Sequence, residues 1–267
     1  MIYFVATPIG NLSDISFRAI ETLKNVDIIA CEDTRNSLKL LQHYEINKPL
    51  IAHHKHNEKS STEGILELNR QGKNIAIISD GGMPLISDPG ETLAVRLKEE
   101  KIPFSVVPGA NAGLCALILS GLPSFRFAFI GFLPEKQKEK IEVLEEHKRL
   151  KGSLIFHISP HNIEKDLLII FKQLGARKAC LVKEISKIYE QATSFVLGDK
   201  IEINEKGEFV LVVEGFKEES TNGLNMEEEY INLIKCGIDK NEAIKMIAQK
   251  FGVKKNEVYQ IAISIKI

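Results

Sequence analysis

The sequence lacks the features that mark several broad classes of protein. Its four cysteines, Cys31, Cys115, Cys180 and Cys236, form no C-x-x-C pair and lie in apolar or helical patterns. We therefore expect free thiols and a cytoplasmic protein rather than a disulfide framework. Residues 1–6 lack the basic and long apolar segments of a signal peptide. No apolar run approaches the ~20 residues of a membrane span, so we expect no membrane partner.

An excess of either charge is also missing. The 267 residues hold 35 basic and 36 acidic side chains, which gives a formal net charge of −1. Any nucleic-acid binding must therefore use a local patch or an attached module. The motifs G-x-G-x-x-G and G-x-x-x-x-G-K-[ST] do not occur, which disfavours a Rossmann-type dinucleotide enzyme and a P-loop nucleotide triphosphatase.

Short apolar runs alternate with helical patterns in the first half of the chain. This alternation predicts a mainly parallel sheet with helices on both faces, and its strand candidates are 2–6, 26–30, 49–52, 74–78 and 104–107. In the second half the strand candidates lie closer together, which predicts an α+β region with more antiparallel pairing; they are 127–130, 153–156, 178–182, 188–197 and 209–213.

The end of the chain has a different pattern. Residues 216–225 (F-K-E-E-S-T-N-G-L-N) have the composition of a linker. From residue 226 to residue 267 the pattern is helical, and Gly237 and Gly252 divide it into three short helices. We expect this segment to form a separate small helical module.

Five loops with unusual chemistry follow predicted strands, where open α/β sheets bind their ligands. The longest, I-S-D-G-G-M-P-L-I-S-D-P-G, combines three glycines, which allow close backbone approach, with two prolines, which stiffen the chain. Asp88 and Pro89 predict a helix start there. A stiff loop of this length suits a cofactor. The turns A-T-P-I-G-N-L-S-D and V-P-G-A-N-A add Pro-Gly chemistry beside it.

The other two polar segments each allow two interpretations. In C-E-D-T-R, the acids Glu32 and Asp33 beside Arg35 fit either a capped, salt-bridged helix start or a substrate-facing site. In H-H-K-H-N-E, three histidines do not repeat at helical spacing and lack a completing ligand set. We therefore expect no metal there, but a solvated loop or a polar edge that binds substrate. Lys136, at the start of P-E-K-Q-K-E-K, belongs to a solvated helix face or to a contact with nucleic acid.

Together these segments resemble one family closely. T-P-I-G-N-L-S-D-I-S, A-C-E-D-T-R, H-N-E, I-S-D-G-G-M-P-L-I-S-D-P-G, V-P-G-A-N-A, S-G-L-P and G-F-L-P-E-K are similar to segments of bacterial 16S rRNA cytidine 2′-O-methyltransferases. These enzymes belong to the tetrapyrrole methylase-like (class III) S-adenosylmethionine methyltransferases. The resemblance runs from about residue 2 to residue 215, and the C-terminal helices are similar to a helix-turn-helix-type extension of some members.

The resemblance implies an α/β, two-domain tetrapyrrole methylase-like fold. We expect a parallel-sheet domain over 1–110, a mixed-sheet α+β domain over 111–215, the linker, and a helical module over 226–267. S-adenosylmethionine would lie between the domains, against Pro8, Ile9, Gly10, Asp80, Gly81, Gly82, Met83, Pro84, Ser87, Asp88, Pro108, Gly109 and Ala112. The RNA side would include Asp14, His56, Asn57, Glu58, Lys136, Lys183 and Lys187.

The expected reaction is methyl transfer to a cytidine 2′-hydroxyl in 16S rRNA of the small ribosomal subunit, by an enzyme that is a homodimer. We place Glu32 and Asp33 as candidate bases and Arg35 as the group that orients phosphate or ribose, although an Asp33–Arg35 ion pair would make Asp33 a poor base. Two alternatives stay open: a methylase of a tetrapyrrole or other small molecule, and a non-catalytic relative that binds RNA or the ribosome.

Overall fold

The computed structural model describes residues 1–204, 206–217 and 225–265. Most of the predicted linker, residues 218–224, lies outside the described residues. None of the described helices is both long and apolar enough to span a membrane.

The first half of the chain forms a five-stranded sheet in the order β3-β2-β4-β1-β5, and all of its neighbouring strands are parallel. The strands are β1 Ile2–Val5, β2 Ile28–Cys31, β3 Leu50–Ala52, β4 Ile75–Ile78 and β5 Phe104–Val107. The parallel sheet predicted from the alternating pattern is thereby confirmed. Its central strand β4 is buried along its whole length, as expected of a sheet with helices on both faces.

Four helices cover this sheet, two on each face. They are α1 Phe17–Asn25, α2 Thr34–His43, α3 Glu58–Arg70 and α4 Glu91–Glu99. Apolar residues of α1 and α2 pack with alternate strand residues such as Val5 and Ile29, and those of α3 and α4 pack with Phe4 and Ile77. Because side chains alternate along a strand, each face of the sheet receives its own apolar core.

The second half forms a mixed sheet in the order β6-β7-β10-β8-β9, in which only the β6–β7 pair is parallel among the described strands. Its elements are α5 Ala112–Ser120, β6 Phe127–Phe132, α6 Gln137–His147, β7 Ser153–Ile158, α7 Ile163–Leu174, β8 Lys178–Lys183, β9 Gln191–Val196 and β10 Phe209–Val213. The predicted mixed pairing is confirmed, whereas the last strand before β10 begins at Gln191 rather than at Ile188.

Two sets of helices enclose the mixed sheet. Helix α5 lies on the face that looks towards the first sheet, where Ala116 and Leu117 pack on Ile155 and Val212. The opposite face carries α6, α7 and three C-terminal helices, α8 Met226–Lys235, α9 Lys240–Phe251 and α10 Lys255–Ser264. These last three confirm the predicted helical module. They share one apolar core with the mixed sheet, so the module is packed against it. The predicted divisions of the chain at residues 110 and 215 stay predictions.

A buried ion pair joins α6 to α7. Lys140 Nζ binds the carboxylate of Asp166, and both side chains are less than a tenth exposed. Lys140 therefore does not belong to the solvated face predicted for this segment. On the same helix, the exposed Lys138 lies 3.8 Å from Glu142. Loss of one partner should destabilise the protein more in the buried pair than in the exposed pair, because it leaves an uncompensated charge in the interior.

We expect Lys140→Ala to lower the free energy of unfolding by about 3–5 kcal/mol, because Asp166 would remain buried without its partner. The matched control Lys138→Ala should change it by less than about 1 kcal/mol, because exposed pairs contribute little. Urea unfolding followed by circular dichroism measures both values. Equal losses from the two variants would contradict the assignment.

Candidate active site

The tips of β1, β4 and β5 bring three of the predicted loops into direct contact. Thr7 and Gly82 exchange backbone hydrogen bonds of 2.9 and 3.0 Å. Gly82 has a φ of +90°, and a Cβ on it would lie 3.3 Å from Cγ2 of Ile9 and 3.6 Å from the carbonyl oxygen of Ala110. Glycine is therefore required here by both backbone conformation and close contact. The contact unites the loops that follow the three strands.

Most of the predicted cofactor residues belong to these three loops. Pro8 and Pro84 are buried supports, whereas Asp80, Gly81, Ser87, Pro108 and Gly109 are exposed. Ile9, Met83, Asp88 and Ala112 are partly buried, and Ala112 is the first residue of α5. The structure thus brings the predicted set to one edge of the first sheet, while their role in binding a cofactor stays a prediction.

The second sheet closes over this edge from the other side. Gly10 faces Lys187 so closely that a Cβ would lie 2.6 Å from Cγ of Lys187, and the Asp14 carboxylate accepts a hydrogen bond from the Ser186 hydroxyl. Farther along the cleft, a Cβ on Gly131 of β6 would lie 3.3 Å from Oγ of Ser87. The cleft therefore has one wall of loops and one wall of mixed sheet.

Three acids, Glu32, Asp80 and Asp88, cluster beside the carboxyl ends of β2 and β4. Asp80 accepts hydrogen bonds from the backbone N–H of Asp33 at 3.2 Å and from Nδ2 of Asn36 at 2.9 Å. Burial, followed by the negative charge of Glu32, raises the pKa of Asp88 from 3.8 to about 6. Burial, followed by the charge of Asp80, also raises the pKa of Glu32. Such a cluster favours a cationic ligand, and it makes the Asp88 carboxyl keep its proton to a higher pH than an ordinary aspartate does.

Asp33 and Arg35 form the capped, salt-bridged helix start that the sequence allowed. The Asp33 carboxylate accepts hydrogen bonds from the backbone N–H, Nε and NH2 of Arg35 at 2.8, 3.2 and 2.9 Å. These bonds hold the pKa of Asp33 at about 2. The carboxylate is thus a weak proton acceptor, while the Arg35 side chain remains largely exposed.

The H-H-K-H-N-E segment is tied into the fold by most of its side chains. Nδ1 of His53 lies 2.7 Å from Oγ of Ser61, and Asn57 bonds the N–H of His54 and the carbonyl of Ala52. His56 is the exposed histidine of this group. In the part of the chain that is described, no group of His, Cys, Asp and Glu is close enough to hold a metal ion.

The prediction that Asp88 caps the helix after the long loop was wrong, because Glu58 takes that role. Its Oε1 accepts hydrogen bonds from the N–H groups of Gly90 and Thr92, at 2.9 and 3.1 Å, at the start of α4. The predicted cap, Asp88, makes no such bond, because α4 begins at Glu91 with Gly90 as its N-cap. A carboxylate from α3, distant in sequence, satisfies these amides and also suits the helix dipole.

The lysines predicted on the RNA side already have protein partners. Nζ of Lys187 lies 3.0 Å from carboxylates of both Glu184 and Glu208, Lys183 donates to the carbonyl of Asn204, and Lys136 pairs with Glu139. Their role as phosphate contacts stays a prediction.

One contact and one residue of the cleft were missed from the sequence. Asn111 belongs to the V-P-G-A-N-A turn predicted beside the cofactor, but its role as the cap of α5 was not predicted; it accepts a hydrogen bond from the N–H of Leu114 at 2.9 Å. His157 lies on the cleft face of β7, beside Phe129 and Phe132 of β6. The sequence could have indicated this position of His157, because residues two apart in a strand share a face and His157 therefore lies on the same face as the apolar Ile155.

Comparison with known proteins agrees with this architecture. The family model described as Tetrapyrrole (Corrin/Porphyrin) Methylases matches residues 1–200. A protein of Halalkalibacterium halodurans named Ribosomal RNA small subunit methyltransferase I is 43% identical over 97% of this chain and 93% of its own length. The protein of that name from Bacillus subtilis is 42% identical over 97% of this chain and 92% of its own.

Solved structures of other proteins are similar to this chain in fold. Uroporphyrin-III-C-methyltransferase from Thermus thermophilus superposes with a TM-score of 0.55 at 18% identity, over 80% of this chain and 93% of that chain. At this identity the likeness concerns the fold alone, and it confirms the predicted two-sheet architecture.

The raised pKa of Asp88 predicts a pH-dependent stability. The folded state holds this proton more tightly than the unfolded chain, so ionisation destabilises the fold as the pH rises from about 4 to about 6. We expect Asp88→Asn to gain stability relative to the unmodified protein across this window, as measured by urea unfolding at each pH.

Asp33→Asn is the control of opposite sign. Because the pKa of Asp33 is lowered to about 2, its stabilising contribution is present above pH 4 and lost only at lower pH. This variant should therefore be less stable than the unmodified protein by a constant amount between pH 5 and pH 7. A difference for Asp88→Asn that does not change with pH would refute the assignment.

Proposed function

Because this chain belongs to the tetrapyrrole methylase family, we propose that it transfers a methyl group from S-adenosylmethionine to the ribose 2′-hydroxyl of a cytidine in 16S rRNA of the small ribosomal subunit. The observation that carries the proposal is its 43% identity, over 97% of the chain, to a protein named Ribosomal RNA small subunit methyltransferase I. The cleft between its two sheets is the proposed place of reaction.

The chemistry of the cleft fits the cofactor. S-adenosylmethionine, when bound, supplies an activated methyl group on a positively charged sulfur. The negative cluster of Glu32, Asp80 and Asp88 suits a cation, and the exposed backbone at Gly81 allows close approach of a ligand. The long loop supports this assignment, because hydrogen bonds of Gly82 and Gly90 to other parts of the fold hold it at both ends. A loop held in this way fixes where a bound group points.

Within this proposal, Glu32 is the base that takes the proton of the ribose hydroxyl. Its burial and the nearby charge of Asp80 raise its pKa, which makes it a better proton acceptor than Asp33. Arg35 follows Asp33 at the start of α2, and its exposed guanidinium is available to a phosphate beside the ion pair. The division of roles therefore places proton transfer on Glu32 and orientation on Asp33 and Arg35.

A small-molecule methylase remains the alternative that the fold itself allows, since uroporphyrin-III-C-methyltransferase has the same architecture. Incubation with labelled S-adenosylmethionine and small subunits that lack the modification tests the proposal. We expect label on a cytidine 2′-oxygen. Label on a base nitrogen or carbon would reject the ribose assignment, and no label on the subunit would reject the RNA reaction.

Replacement of the two neighbouring acids separates their roles. We expect Glu32→Gln to lower the single-turnover methylation rate by about 100-fold or more, because the base is removed. Asp33→Asn should change the rate by less than about tenfold, because it removes a cap and an ion pair outside the chemical step. Equal losses would contradict the choice of Glu32.

We propose that the protein forms a homodimer through exposed apolar residues of β5, α5 and β6. Val106, Leu114, Ile118, Leu119 and Phe127 are 43%, 45%, 77%, 40% and 44% exposed. They occupy β5, α5 and β6, which follow one another in the chain, and β5 and β6 are edge strands of their sheets. An apolar face of this kind is typical of a surface that is covered in the assembled protein.

We expect light scattering to give a dimer mass for the unmodified protein and a monomer mass for Ile118→Asp, because a buried carboxylate would oppose association. Val95→Asp is the control, since Val95 is 50% exposed but lies on α4 rather than on β5, α5 or β6. A monomer mass for the unmodified protein, or dissociation by both variants, would contradict the proposal.

A further inference from the structure

A cluster of two aromatic rings and one histidine forms part of the cleft wall that belongs to the mixed sheet. Phe129 and Phe132 lie on β6, and His157 lies on β7 directly opposite Phe132 in the register. We refer to these three residues as the aromatic slot. Gly131, between the two phenylalanines, approaches Ser87 of the long loop, one residue from Asp88. The aromatic slot therefore faces the loop that carries one of the clustered acids.

The histidine of the slot has an unused hydrogen-bonding group. Both phenylalanine rings meet the imidazole edge-on, with centroids 5.2 and 5.1 Å away and interplanar angles of 86° and 85°. Its Nε2 is buried and has no hydrogen-bond partner. Burial lowers the pKa of His157 despite the opposing charge of Glu208. A neutral imidazole at this position can either donate or accept one hydrogen bond, depending on its tautomer.

The aromatic rings of the slot are accessible. Phe132, the last residue of β6, is 57% exposed, and Phe129 is 37% exposed. Proteins that act on single nucleotides of RNA place exposed aromatic rings and a few polar groups around the unstacked base. An exposed ring beside an unpartnered imidazole nitrogen supplies both kinds of contact. The ammonium group of Lys187 at the cleft, in contrast, is already paired with two carboxylates.

We propose that the aromatic slot receives the base of the nucleotide that is methylated. The base stacks on Phe132, which moves aside from the imidazole, and its polar edge supplies the missing partner of His157 Nε2. This inference rests on the proposed function and deepens it by assigning the recognition of the base. A cytosine edge carries both an amino donor and ring acceptors, so either tautomer of the neutral imidazole finds a partner.

The same chemistry could in principle serve the adenine of the cofactor, and the variants below distinguish the two bases. Phe132→Leu keeps apolar volume but removes the stacking ring, and His157→Leu removes the hydrogen-bonding group. His157→Gln restores a donor and an acceptor. Phe125→Leu is the matched control, because Phe125 is 93% exposed on the segment before β6 and contacts Arg126 rather than an imidazole.

Two measurements are made on each variant: the dissociation constant of S-adenosylmethionine by calorimetry, and single-turnover methylation against the concentration of unmodified small subunits. We expect Phe132→Leu and His157→Leu to raise the half-saturating subunit concentration by about tenfold, the size of effect typical of a lost base–aromatic contact. Their affinity for S-adenosylmethionine should stay within about twofold of the unmodified protein. His157→Gln should recover part of the loss, and Phe125→Leu should behave as the unmodified protein.

A parallel loss of S-adenosylmethionine affinity would overturn the proposal, because it would place the cofactor's adenine in the slot. Unchanged methylation by both leucine variants would also overturn it and leave the cluster as ordinary packing. Thermal unfolding of each variant identifies a loss that comes from misfolding. In that case His157→Phe, which keeps a ring without a hydrogen-bonding group, and Phe132→Met, which keeps apolar volume without a ring, decide by the same two measurements. If the unmodified protein binds S-adenosylmethionine but does not methylate the subunit, the proposed function itself fails, and the assignment of the base fails with it.

Discussion

The site depends on the way in which two adjacent parallel strands end. Thr7, after β1, and Gly82, after β4, exchange two backbone hydrogen bonds, so the chains that leave these strands remain paired beyond the sheet. The φ of Gly82 and its contact with Ile9 exclude a side chain at this position. Because the pairing fixes the start of the long loop, it also fixes the acids at each end of that loop, Asp80 and Asp88. The rigidity expected from glycine and proline thus has a structural cause in paired backbone.

The pair Glu32 and Asp33 illustrates how environment, rather than residue type, assigns chemical roles. Two neighbouring carboxylates emerge from the same strand, yet one has a raised pKa and the other a pKa of about 2. Burial and the charge of Asp80 act on Glu32, whereas Arg35 and the helix amides act on Asp33. The ordinary pKa values of these two residue types differ little. A base and an orienting group can therefore arise from adjacent positions because the chain turns into a helix between them.

The sequence predicted the elements of the site better than their contacts. The alternation of strands and helices was sufficient for the parallel sheet, and the glycine-rich and proline-rich loops were correctly placed at the strand ends. The prediction that Asp88 caps α4 was wrong, because Glu58 reaches those amides from a helix 32 residues away. Local patterns do not contain such a distant partner. The predicted start of β9 at Ile188 was also wrong. The backbone departs from an extended conformation at Glu184 and Ser186, whose φ values are 52° and 66°, and β9 starts only at Gln191.

Charge alone is a weak basis for RNA recognition in this cleft. The acids that suit a cationic cofactor also repel phosphates, and the ammonium group of Lys187 is shared between Glu184 and Glu208. With a net charge of −1, the whole molecule supplies no compensating field. If RNA binds in this cleft as proposed, its recognition depends on shape, stacking and a few hydrogen bonds, which is the common mode for single nucleotides in folded RNA. Under the proposed function the acidic loops and the aromatic slot are complementary in this respect, because one wall of the cleft would provide charge for the cofactor and the other would provide uncharged contacts for a nucleobase.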